Sequence, residues 1–483
     1  MREPTRRAFL SGAAAGAASA FVPTTSAARS REVLNDASRL NTVPVFRHWI
    51  TKAEAETDFL AQLRRELKDA AAAKRPVCVG AARHSMGGQS LPRNGSAMTF
   101  NRDFCEVDRA ARTASVHAGT RWFEVIAHLD KIGFSPAVMQ SNSDFGVAAT
   151  FCVNAHGWPA PYGPFGSTVR SFRMMLADGS IVTCSRTENA ELFTLAMGGY
   201  GLFGVILDLE LDMVENLLLA PRQEVMPTSE FAARFVGAIE KDPAVRMMYG
   251  RLSVAKRGFL DEALLVTFRP VPTPPTGLPA APRTHPLSKV MRGVYRAQIG
   301  SESAKQTRWF AETMVGQKVS SGTATRNALM NQAVANLQGH DRHRTDILHE
   351  YFVPPERFGE FVAGCRNIIP KAQAEFLNVT LRYVLKDEIS LLSYAATNRI
   401  AAVMSFSQEM TPEGEADMLR LSENLIDLAA SVGGSFYLPY RLHARPDQLE
   451  RLYPQLTQVL QRKRHYDPGL LFRNLMWDTY FAG

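Results

Sequence analysis

The sequence predicts an α+β fold, and three observations carry that prediction. From Val43 to Gly133 strand-like and helix-like stretches alternate, as mixed α and β layers require. An Asp178-Gly179 turn then joins two runs with strand character, Arg170 to Leu176 and Ile181 to Ser185. Beyond Glu215 the composition shifts to long helical stretches interleaved with further strand candidates.

Within the first part, Ala53 to Ala73 carries Phe59, Leu60, Leu63, Leu67 and Ala71 at helical spacing between charges. Pro76 to Val79 reads as a short buried strand. Thr113 to Ala118 reads as a strand, Gly119 as a turn, and Trp122 to Ile132 as a helix stopped by Gly133. Glu191-Leu192-Phe193 and the glycine-rich run Gly198 to Ile206 lead into another strand. In the second part the strand candidates are His349 to Val353, Leu377 to Leu385, Ile400 to Ser407 and Ser435 to His443, with Pro270 to Pro286 as a surface loop.

The chain has 483 residues, 46% of them hydrophobic, which is enough for two or three domains. Its formal charge of +8 is spread thinly, without lysine and arginine clusters alternating with aromatics, and this argues against nucleic-acid binding. An acidic substrate or an acidic electron acceptor fits the surplus. Cys78, Cys105, Cys152, Cys184 and Cys365 lack the close spacing of a metal or redox pair, so they read as buried thiols and no metal site is expected.

At the start, Thr5-Arg6-Arg7-Ala8-Phe9-Leu10 precedes a small, apolar run from Gly12 to Val22 and then Thr25-Ser26-Ala27-Ala28. That order is a secretory leader, residues 1–28, and it resembles the twin-arginine type. The apolar run is too short for a span of about 20 residues, so no stable membrane anchor is expected. The implied location is periplasmic or extracellular.

Two turns carry the chemistry. In the first, Gly80-Ala81-Ala82 lets backbone approach a ligand, and Arg83, His84, Ser85 and Met86 follow, with Gly87 and Gly88 closing the bend. The second runs from Ser143 through Gly146, Ala148 and Ala149 to Asn154-Ala155-His156-Gly157. Taken alone, His156 reads as a turn histidine satisfied by hydrogen bonds; for His84 that is the plain alternative to a role at a ligand.

Together with Gly198 to Ile206, these turns resemble the FAD-binding loops of the vanillyl-alcohol oxidase and p-cresol methylhydroxylase family. A classical dinucleotide fold would need G-x-G-x-x-G between a first strand and a helix, with an acid about 20 residues later, and that arrangement is not found. The resemblance implies a two-part FAD-binding domain over 40–216, a substrate-shaping cap over 217–445, and a segment over 446–483 that returns to the FAD domain. It places Gly80 to Met86, Ser143, Gly146, Ala149, Asn154 to Gly157, Val205, Ile206 and Asn474 at the cofactor. His84 matches the position bonded covalently to the flavin in many relatives. Arg83 departs from the glycine that many relatives have there. Gln140 to Ser143 holds no cysteine for the second bond that some relatives make.

The nearest branch is the sugar, alditol and lactone oxidases. Period two puts Asn378, Thr380 and Arg382 on one strand face. Arg382 matches an arginine of the alditol oxidases, but Thr380 stands where they carry a glutamate, and their His-Trp-Gly-Lys segment is missing. Tyr437 and His443, grouped with Arg441 by the same period, are the candidate bases. Solvated or salt-bridged residues on an exposed strand face are the plainer account of the same rows. The implied activity is oxidation of a CH–OH group on a small polar molecule, with molecular oxygen or a periplasmic cytochrome as acceptor. Oxidation of an amine or phenolic alcohol, and a flavin-loaded protein without catalysis, are the alternatives.

Overall fold

The computed structural model describes residues 32–51, 55–283, 288–315, 322–334 and 341–482. The expected leader at 1–28 lies outside the described residues. An α+β architecture is observed, with three principal sheets.

A three-stranded parallel sheet comes first, ordered Arg47–Ile50, Ser96–Thr99, Val77–Val79. Its crossover helix, Glu56–Ala72, buries Phe59, Leu63, Leu67 and Ala70 along one face, the spacing that a 3.6-residue period demands. The second sheet is antiparallel. Its strands run Ile181–Ser185, Val169–Met175, Val205–Glu215, Thr113–His117, Cys105–Asp108, and Phe134–Pro136 pairs with the far end of the long strand. Asp178-Gly179 makes the expected hairpin turn, with Gly179 at φ +83°.

Only Asn216 and Leu217 separate the second sheet from the third. The third is antiparallel with eight strands, and its central part runs Glu262–Pro270, Met247–Leu252, Glu375–Val384, Arg399–Glu409, Arg344–Val353, Ser435–Phe436. One face is apolar. Ile347, Tyr351, Leu381, Met404 and Phe406 project from it onto Phe231, Phe361 and Leu425 of the helices Thr228–Glu240, Phe358–Ile368 and Pro412–Ser431. The opposite face carries Glu350, Phe352, Asn378, Thr380 and Arg382, which is what period-two alternation requires of strands buried on one side. The chain end closes the molecule: Val77 N–H donates to Leu471 O at 2.7 Å, and Phe472 bridges Val77 in parallel.

One expected strand is different. Ser435 to His443 pairs only over Ser435–Phe436 and then turns. Pro439 has no N–H for a ladder, and its carbonyl accepts the Met86 N–H at 2.8 Å instead. Tyr437, Arg441 and His443 therefore do not share a strand face.

Candidate functional site

The two glycine-containing turns meet. A Cβ placed on Gly146 would stand 2.8 Å from the Ala81 Cβ, so the loops touch where both are smallest. Gly146 also bridges Arg121, whose Nη1 is buried with no hydrogen-bond partner 3.5 Å from that same Cβ position. Arg83 has φ +53° and folds its side chain back beneath Gly80, toward the parallel sheet. Its Nη2 donates to Thr99 Oγ1 at 3.0 Å and lies 3.1 Å from His48 Nε2, while Nε is buried and unpartnered. Burial depresses the affinity of both guanidiniums for their protons, and the Arg83 charge lowers that of Arg121 further. Two crowded cations with orphaned N–H groups at a junction of small residues are the donor set an anion such as a pyrophosphate would satisfy.

His84 sits half-buried on this turn, with Ala82 and Ser85. Its ring lies 4.5 Å from that of Phe145 and makes no hydrogen bond among the described residues, so it is not the satisfied turn histidine that the plain reading supposes. Burial lowers its pKa, with Asp144 opposing and Arg121 assisting. The Arg83 side chain leaves this space open.

Several expected cofactor contacts are committed elsewhere. Met86 gives its carbonyl to Asn41 Nδ2 (2.8 Å) and Arg441 Nη1 (3.3 Å), and its sulfur accepts the Leu348 N–H. Ser143 is fully buried, its N–H on Gln332 O. Ala149 lies in the short helix Val147–Cys152 that follows Gly146, and Val205 and Ile206 are core residues paired with Met175 and Met174. Asn154, at φ +47°, accepts from Gly166 N–H and donates to Asp387, while Ala155 receives Phe165 N–H. Asn474 spends its whole side chain on the protein, donating to Gln89 O and Tyr200 O and capping Trp477 N–H. Gly157 is a glycine because of Met139: a Cβ there would fall 1.9 Å from that carbonyl.

The third sheet answers the second turn. Arg382 Nη1 donates to His156 O (3.2 Å) and Nη2 to Ser141 Oγ (2.6 Å), with Nε buried and unpartnered. His156 Nε2 lies 2.5 Å from Glu350 Oε1, both side chains at most 3% exposed, and Nδ1 has no partner. Tyr440 O–H donates to Glu350 Oε2 at 3.2 Å. Burial raises the Tyr440 pKa well above its ordinary value, the Glu350 charge adds to that, and the Arg382 charge opposes it. The cluster Arg382, His156, Glu350, Tyr440 thus joins a turn of the first half to two strands and a turn of the second.

Neither of the two expected bases points its polar group into this cluster. His443 has Nδ1 3.0 Å from Ser422 Oγ and Nε2 2.9 Å from Glu415 Oε1, and it stacks on His349, on the helix-covered face of the sheet opposite Arg382. Tyr437 donates to Val153 O at 2.7 Å, its ring packed among His156, Phe352 and Tyr394, so its hydroxyl is occupied. Glu350, Tyr440 and Ser141 were not foreseen. A glutamate inside the apolar run Ile347 to Val353 is the one local signal, since a buried carboxylate needs partners.

A family model described as an FAD binding domain matches residues 55–185, the stretch that holds both turns. The chain carries the FAD-binding domain of the vanillyl-alcohol oxidase and p-cresol methylhydroxylase type. Cytokinin dehydrogenase 3 of Oryza sativa subsp. japonica is 29% identical over 137 residues, 27% of this chain and 26% of that protein. L-gulonolactone oxidase of Mus musculus is 29% identical over 114 residues, 24% of this chain and 26% of that protein. D-arabinono-1,4-lactone oxidase of Debaryomyces hansenii is 29% identical over 112 residues, 23% of this chain and 20% of that protein. The matched stretches span no more than about a quarter of these relatives' lengths.

Proposed function

We propose that this protein is an FAD-dependent oxidoreductase that oxidises a CH–OH group of a small polar molecule such as a sugar, alditol or aldonolactone. FAD supplies the hydride acceptor when bound. Gly80, Ala81, Gly146 and the Arg121 and Arg83 guanidiniums are the groups that would hold its pyrophosphate, and His84, without a hydrogen bond, is the residue that would be attached to it covalently.

The observation that carries the reading is Glu350, buried between His156 and Tyr440, with Arg382 on the carbonyl of that same histidine. Oxidation of an alcohol releases a proton from the hydroxyl, and a positioned acceptor for it speeds the reaction. Tyr440, held protonated by burial and by Glu350, cannot serve as the terminal base. It passes the substrate proton on to the Glu350 and His156 pair, while Arg382 orients the oxygen. The eight-stranded sheet then acts as the cap over the FAD-binding domain.

The test is anaerobic mixing of the purified flavoprotein with alditols, sugars, lactones, amines and phenolic alcohols. Bleaching of the flavin by CH–OH donors is expected. Bleaching by amines or phenolic alcohols alone would favour amine or phenolic-alcohol oxidation on the same fold, and bleaching by nothing would leave a flavin-loaded binding protein. We further propose twin-arginine export, on the strength of Arg6-Arg7 and the apolar run after them, with oxygen or a periplasmic cytochrome as acceptor. Unchanged delivery after Arg6→Lys and Arg7→Lys would refute that route.

A further inference from the structure

We infer that the polar face of the eight-stranded sheet, between Arg251 and Arg382, binds the carboxylate of its substrate, making the substrate an anionic hydroxy acid. The inference rests on the reading that this face receives the molecule to be oxidised. Arg251 pairs directly across from Thr380, and Arg382 lies two residues further along the same strand, so both side chains rise from one face. Diagonal neighbours of this kind stand about 7–8 Å apart along the sheet, within reach of one another for side chains as long as arginine.

Neither arginine has a carboxylate within ion-pair distance among the described residues. Arg251 Nη1 donates instead to Asn378 Oδ1 at 2.6 Å, and Arg308 Nη2 donates to the same oxygen at 3.0 Å. Two guanidiniums therefore converge on one neutral amide. Arg308 has Glu312 as its counter-ion at 2.9 Å, which leaves Arg251 uncompensated. Glu350 lies on this face, but its oxygens are taken by His156 and Tyr440.

The surroundings are rich in donors and poor in acceptors. Arg382 Nε and Trp158 Nε1 are both buried without a partner. The Trp158 and Tyr249 rings meet at a tilt with centroids 4.9 Å apart, and the Arg251 guanidinium lies 5.6 Å from the Tyr249 ring, which ties the tryptophan to the same patch. Leaving buried N–H groups and half-buried cations unpaired is costly, and a carboxylate accepts from several at once. A neutral polyol has no charge to offset Arg251 and Arg382.

Titration calorimetry of the flavin-loaded protein with succinate, which has no hydroxyl to oxidise, and with neutral succinamide tests this. Succinate is expected to bind at least tenfold more tightly than succinamide, to weaken by at least tenfold in Arg251→Gln, and to recover in part in Arg251→Lys. Equal affinity for the two probes, or unaltered succinate binding in Arg251→Gln, would overturn the proposal. If Arg251→Gln does not fold, the ratio between the probes in the unaltered protein decides alone. Bleaching by neutral alditols but not by hydroxy acids would overturn this inference and leave the CH–OH reading standing. Selective succinate binding in a protein bleached only by amines would keep the carboxylate site and overturn both the CH–OH reading and the hydroxy-acid assignment.

Discussion

His156 Nε2 and Glu350 Oε1 stand 2.5 Å apart although 194 residues separate them in the chain. The contact locks the second turn of the FAD-binding domain to the Arg344–Val353 strand, and it gives a buried carboxylate its partner. A buried pair of this kind adds little net stability, because desolvation offsets the attraction, but removing one member is costly. Function is the better account of why it is present.

Glu350→Gln keeps the shape of the site and removes the proton acceptor. The flavin reduction rate with the true substrate should fall by about 10²–10⁴, with flavin content retained. Tyr440→Phe should give a smaller loss, since it removes the relay and leaves the acceptor. A rate in Glu350→Gln equal to that of the parent would return the pair to a structural role.

Attachment at His84 makes a separate prediction. The acid-denatured protein should stay yellow, with an intact mass larger than the polypeptide by one FAD. In His84→Ala the flavin should become extractable and its reduction slower. Release of free FAD from the unaltered protein would exclude the bond and leave the cofactor assignment untouched.

What the sequence revealed and what it hid divide along contact range. The polar row Asn378, Thr380, Arg382 was legible because alternation is a property of one strand, and the paired turns were legible because small residues bracket them locally. Glu350 was not legible, since its meaning depends on partners 194 and 90 residues away. His443 was misplaced for a local reason: period-two counting ran on past Phe436, where the chain leaves the sheet and turns through Pro439, so the faces cease to alternate.

Gly157 and Gly146 should now respond differently to substitution. Gly157→Val drives a side chain into the Met139 carbonyl, whose backbone cannot yield, so the melting temperature should drop and flavin should leave only as the protein unfolds. Gly146→Ala presses on Ala81 and parts the two loops. Weaker flavin retention with little change in far-ultraviolet dichroism is expected there. Parallel loss of flavin and fold in both variants would contradict the distinction.

His117 makes the fold less stable in acid. Its Nδ1 accepts the Gly119 N–H at 3.0 Å, and its Nε2 is buried without a partner between the rings of Phe59 and Phe100. Burial, then the Arg102 charge, lower its pKa from 6.5 to about 4, with Asp208 and Glu56 opposing and Arg173 assisting. The folded state thus keeps the ring neutral at pH values where the unfolded chain has already taken up a proton. Between those limits the unfolded state binds more protons, so stability falls as pH drops below 6.5 and stops falling, on this account, near 4. The full shift corresponds to roughly 3 kcal/mol. His84, His349 and His443 are lowered in the same direction and steepen the parent's slope, so the difference between parent and His117→Asn isolates one residue. Denaturant unfolding at half-unit steps from pH 7 to 4 should show that His117→Asn is less stable than the parent at neutral pH and loses less on acidification. Parallel curves for the two proteins would mean that His117 titrates alike in both states.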